Sequence, residues 1–111
     1  VRRMTQFMLS VHHVPGAVAY ASEEEMSAAF EDTSAFNDRL LAEGVLVLVN
    51  SLRPDADVVT ADSVTPGRAH EGAQLGGFWI IDVADREAAL ELAKQASAAC
   101  RQPVEVRQLE G

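Results

Sequence analysis

Apolar positions along the chain change period several times, and each change marks an element. Residues 5–13 (TQFMLSVHH) alternate around Phe7, Leu9 and Val11, the period-two pattern of a strand with one face toward a core. Val14-Pro15-Gly16 breaks it. Ser22 followed by Glu25 is a capping box, and Glu23 and Glu24 suit the positive end of a helix. Met26, Ala29, Phe30, Phe36, Leu40 and Leu41 then fall near helical spacing, with one drift of phase between Phe30 and Phe36. Gly44 supplies the left-handed residue that ends this helix. Val45–Leu52 is a β-branched strand stopped by Arg53-Pro54. Residues 57–61 (DVVTA) predict a shorter strand at an edge, and residues 62–74 a polar loop with Pro66, Gly67 and Gly72. Leu75–Val83 is apolar on both faces, as a central strand would be. Asp85 caps a second helix through Ala88, Ala89, Leu92, Ala93 and Ala96, and Pro103 starts a last strand through Val104, Val106 and Leu109.

The order is therefore β-α-β-β-β-α-β in one domain, residues 1–111. Two βαβ-like units with a hairpin between them predict an α+β, ferredoxin-like fold: an antiparallel sheet with both helices on one face. The helices cover that face only, so apolar residues remain on the other. A face of that kind seldom stays in water, which predicts a homodimer, or a higher homo-oligomer, built sheet against sheet.

Composition narrows the partners. Hydrophobic residues form 48% of the 111, enough for a core without metals or disulfides. Seventeen acidic residues against nine basic ones leave a formal charge of −8. That field repels polyphosphates, so nucleic acid is not an expected partner. Cys100 is the sole cysteine, which rules out an intrachain disulfide and suits a reducing cytoplasm; it reads as a buried helix residue. Val1-Arg2-Arg3-Met4 carries positive charge with no long apolar run behind it before His12 and His13. No signal peptide or membrane span is expected.

The run Leu75-Gly76-Gly77-Phe78-Trp79-Ile80-Ile81-Asp82-Val83, the Ala/Glu/Leu-rich helix after it and the closing Val104-Glu105-Val106-Arg107 resemble the YCII-related family. Phe7-Met8-Leu9, the helix ending Leu41-Ala42-Glu43-Gly44-Val45-Leu46, and Leu52-Arg53-Pro54 fit it too. The resemblance spans nearly the whole chain. It implies a ferredoxin-like fold that dimerises into an α/β barrel, in a cytoplasmic bacterial protein. One activity in the family is a dehydrochlorinase of chlorinated hydroxyquinol breakdown. Two departures matter. Many members carry Asp-Gly-Pro-Phe before the Gln-Leu-Gly-Gly-Phe strand, where this chain has Thr65-Pro66-Gly67-Arg68-Ala69-His70-Glu71. Some relatives carry a histidine near the start of the first helix, and residues 22–44 hold none.

The histidines are the natural acid–base candidates near neutral pH. On a strand His12 and His13 point to opposite faces, so the pair makes a poor bidentate metal site. With Phe7, Leu9 and Val11 toward the helices, Met8, Ser10 and His12 take the open face. In a ferredoxin-like sheet the first strand runs antiparallel to Gly76–Val83. His12 then belongs near Gly76, Gly77 and Phe78, and Asp82 at the far end. The loop bearing Arg68, His70 and Glu71 enters at the near end. The expected cleft has His12 and His70 as acid–base groups, with Ser10, Arg68, Glu71 and Phe78 as substrate contacts. Gly76-Gly77 precede a strand rather than open a helix, so they do not form a nucleotide loop. Ser51 and Ser63 lack the setting of a hydrolase nucleophile.

Two functional readings follow. One is an acid–base enzyme of lyase, isomerase or dehydrohalogenase type, acting without metal or other cofactor on a small aromatic or carboxylated compound. The alternative is a noncatalytic module that holds a small ligand, and a purely structural interaction domain would need only the dimer.

Overall fold

The computed structural model describes residues 4–111; the expectation drawn from Val1-Arg2-Arg3 falls outside the described residues. The elements are β1 (Thr5–His13), α1 (Glu23–Ala42), β2 (Leu46–Ser51), β3 (Asp57–Val59), β4 (Val64–Pro66), β5 (Gln74–Val83), α2 (Arg86–Cys100) and β6 (Glu105–Gln108).

Local chemistry sets the helix ends. Ser22 Oγ accepts from Glu25 N–H at 3.1 Å, while the Glu25 carboxylate reaches back to Ala21 N–H at 3.0 Å. The box therefore closes one residue further out than its usual form. At the other end Gly44 has φ 74°, its N–H donates to Leu41 O, and Val45 N–H donates to Leu40 O, both at 3.1 Å. Those paired bonds are a Schellman motif, and they aim the chain directly into β2. Asp85 Oδ1 caps α2 through Ala88 N–H at 2.9 Å.

The main sheet has the order β2-β5-β1-β6 with every neighbour antiparallel, as the ferredoxin-like topology requires. Phe7 and Leu9 from β1 and Trp79, Ile81 and Val83 from β5 form one buried face. Phe36 and Leu40 of α1 and Ala89, Ala93 and Ala96 of α2 close over it. The small residues along α2 bring that helix close to the sheet, and the aromatics of α1 fill the rest. Val104 and Val106 pack against the same core. Glu105 and Arg107 alternate with them toward the open face, opposite Ser10 and Met8. Among the described residues no helix is long and apolar enough to cross a membrane.

Residues 57–66 depart from expectation. Asp57–Val59 is not an edge of the main sheet: it pairs with Val64–Pro66, inside the segment read as a loop, to form a separate two-stranded ribbon. Neither strand buries a face, so nothing draws them onto the main sheet. A polar turn closes the ribbon instead, with Thr60 N–H donating to Ser63 O at 2.9 Å and their hydroxyls 2.8 Å apart. Such hydroxyl-supported turns are the local signal in Thr60-Ala61-Asp62-Ser63.

Two β-bulges interrupt the central pairings. One falls between Leu46 and Leu48. The other matters for the site: Val11 pairs with Gly77 but His12 pairs with Leu75, which leaves Gly76 unmatched. A bulge re-aims the side chains beyond it.

Candidate functional site

One end of the sheet gathers the last residue of β1, the last residue of β2 and the first residues of β5. The chain leaving β2 turns through Leu52–Ala56, and the chain leaving β4 returns through Gly67–Gly72. Leu52 N–H donates to Gly76 O at 2.8 Å, and Gly67 N–H to Ala56 O at 2.9 Å, so both segments are tied to their neighbours. Gln74 Nε2 donates to His70 O at 2.6 Å and to Gly72 O at 3.3 Å, folding the 70–74 segment against the start of β5.

Between these segments lies a cleft of two chambers that share Pro15, Pro54, Asp55, Ala56, Arg68 and Gln74 as walls. The larger, about 830 Å³, is bordered by His13, Ser51, Arg53 and Leu75 as well. The smaller, about 680 Å³, is bordered by His70 and Glu71. Such sizes suit a small organic molecule. Arg53 is engaged with Asp55 at 3.3 Å, whereas Arg68 has no ion-pair partner among the described residues. Arg68 is thus the cation left available to an anionic ligand, and its planar fork fits a carboxylate.

The predicted residues divide. Arg68, His70 and Glu71 come together in the cleft. His12 is exposed opposite Leu75 and borders neither chamber; its neighbour His13 borders the larger one. Its ring lies against Gly76, with Nδ1 2.5 Å and Cε1 2.8 Å from the point a Cβ on that glycine would occupy. Ser10 is buried between Phe78 and Glu105, away from the cleft. Phe78 borders a different cavity. That third space, about 390 Å³, runs between α1 and the sheet, with Phe30, Thr33 and Asn37 on one side and Val49, Gly77 and Trp79 on the other.

Sequence reasoning missed both His13 and this groove. Alternation assigns His13 to the helix side, and only the register slip at Gly76 changes what the ring meets. The groove depends on how α1 lies across β2 and β5. Trp79 Nε1–H donates to Asn37 Oδ1 at 2.6 Å, and Phe30, 60% exposed, stands at the mouth. Ser51 borders both the groove and the larger chamber, so a ligand in one lies one residue from the other.

Among the described residues no group of three or more His, Cys, Asp or Glu side chains assembles into a metal-binding cluster. Cys100 lies apart from the cleft, buried at the end of α2, and burial raises the pKa of its thiol. Tyr20 donates its hydroxyl to Cys100 O at 3.0 Å and its own pKa is raised, first by burial.

Fold and cleft together define a ferredoxin-like α+β protein with a solvent-open, small-molecule-sized cleft at one end of its sheet. The YCII-related domain model matches residues 5–110, and the chain belongs to that family. No curated protein matches the chain.

Proposed function

We propose that the chain acts as a homodimer in the bacterial cytoplasm and performs acid–base chemistry, without a cofactor, on a small aromatic or carboxylated compound in the cleft. The observation that carries the reading is the convergence on one cavity of His13 with Arg68, which has no ion-pair partner among the described residues. Arg68 binds the carboxylate or phenolate bidentately. His13 takes a proton from the adjacent carbon, since a neutral imidazole is the base best matched to neutral pH. The proton is then returned to a neighbouring atom, as in an isomerase, or a leaving group departs as the double bond forms, as in a lyase or dehydrohalogenase. His70, on the wall of the smaller chamber, is the second acid–base group. The apolar groove between α1 and β5 takes the ligand's ring.

The dimer rests on the uncovered sheet face. Met8, Phe78 and Ile80 are half-buried there and Leu48 is exposed, in a molecule only 19 Å thick along its shortest axis. A second copy laid on that face removes these side chains from water.

The test is proton exchange. A panel of small aromatic carboxylates and phenols is incubated with the protein in D2O and followed by NMR. Deuterium incorporation or elimination that falls by roughly 10²-fold or more in His13→Ala supports the acid–base reading. Binding without exchange selects the noncatalytic ligand module, and no binding by any member of the panel removes both.

A further inference from the structure

Gly76 and Gly77 stand together at the start of β5, yet an added Cβ would meet different things at the two positions. At Gly77 the nearest atom is the backbone oxygen of Asn50 at 3.4 Å, an ordinary close approach between paired strands. At Gly76 the nearest atoms belong to the His13 imidazole, Nδ1 at 2.5 Å and Cε1 at 2.8 Å, closer than any real Cβ contact. The third is Val11 O at 3.7 Å, which leaves ample room. The space beside Gly76 is therefore occupied by the His13 ring. Gly76 is also the residue that the β1–β5 register leaves unmatched, between the Val11–Gly77 and His12–Leu75 pairs. Positive φ occurs at Gly16, Gly44, Gly67 and Gly72 but not here, so backbone strain is not what calls for glycine.

The structure assigns Gly76 as a positioning residue: its missing side chain is the seat that holds the His13 imidazole on the wall of the cleft it shares with Arg68. This rests on the cleft being the ligand site. The ring is the far end of a flexible and exposed side chain, so a methyl group at residue 76 displaces the imidazole rather than the strand. Gly76→Ala is thus a variant that keeps the fold while moving one functional group. It separates positioning from folding in a way that a core substitution cannot.

The experiment compares wild type, Gly76→Ala, His13→Ala and the double variant. The first readout is the His13 ring Cε1–H NMR resonance, assigned by its loss in His13→Ala. The second is affinity for benzoate, used as the probe anion. Gly76→Ala is expected to move the His13 resonance by more than its linewidth and to leave that of His12 in place. It is expected to weaken benzoate about as much as His13→Ala does, on the order of tenfold for one lost charged hydrogen bond. The double variant should bind no more weakly than His13→Ala alone, because both changes remove the same contact. An unmoved His13 resonance in folded Gly76→Ala overturns the assignment, as does additive weakening in the double variant. Should Gly76→Ala itself unfold, recovery of the fold in the double variant supports the seat, and failure to recover overturns it. If wild type binds neither benzoate nor the wider panel, the cleft reading fails while the resonance still decides what Gly76 does.

Discussion

The Trp79 indole N–H donates to Asn37 Oδ1 across 2.6 Å, linking the central strand of the sheet to the middle of α1. Trp79 is 4% exposed and also meets the Phe36 ring edge to face, with centroids 5.9 Å apart. One hydrogen bond and one aromatic contact thereby set how α1 lies across β5, and with it the width of the groove between them.

Asn37→Leu leaves that indole donor without its partner in a buried place. An unsatisfied buried donor costs about 1–3 kcal/mol, so thermal denaturation should show a clearly lowered midpoint. Asn37→Asp keeps an acceptor and should lose much less; equal loss in the two variants would show that the bond is not what matters.

The two histidines should behave differently. His13→Ala should weaken benzoate binding about tenfold, while His12→Ala should leave it intact, because of these two only His13 borders the cleft. Arg68→Ala should weaken the same titration more than Arg53→Ala does, since Arg68 borders both chambers and Arg53 only the larger, beside the carboxylate of Asp55. Isothermal titration of the four variants checks this.

Ile80 sits on the uncovered face of the sheet, opposite Met8 on one side and Leu48 on the other. Ile80→Glu places a charge in the proposed dimer interface. Burial of an unpaired charge is costly enough that light scattering should report monomer for the variant and dimer for wild type. Circular dichroism should remain close to wild type, because Ile80 is not part of the core beneath the helices.

Burial raises the Cys100 pKa, so less thiolate is present in the folded chain than in the unfolded one at any pH in the ordinary thiol range. Iodoacetamide should therefore label native protein much more slowly than denatured protein at about pH 8, where a free thiol is partly ionised. The linkage has the same sign. The contribution is fully present below the unfolded pKa and fades as pH rises toward the folded one, so alkaline conditions favour unfolding.

Much of the architecture was readable along the chain because its signals are local. The Ser22–Glu25 box, Gly44 and Asp85 each satisfy helix-end groups within a few residues, and each does so in the structure. The buried alternation at Phe7 and Leu9 and at Trp79, Ile81 and Val83 required only that one face of a strand meet a core. The same reasoning placed Arg68, His70 and Glu71 at the end of the sheet where β5 begins. It found a strand at 57–61 but set it at a sheet edge and left its partner, Val64–Pro66, inside a loop. That partner is exposed throughout, so no hydrophobic pattern announces it.

The sequence by itself determined both helices, the four strands of the main sheet, most core positions and the family, because apolar period, caps and turn residues act over short stretches. Only the tertiary structure decided which histidine faces the cleft. Alternation along β1 presupposes unbroken pairing with β5, and the slip at Gly76 is a property of two strands held together, invisible in either alone. The groove beneath α1 has the same origin. Phe30, Thr33 and Asn37 are a helix pattern in sequence, and become the wall of a cavity only when Trp79 fixes the helix over the sheet.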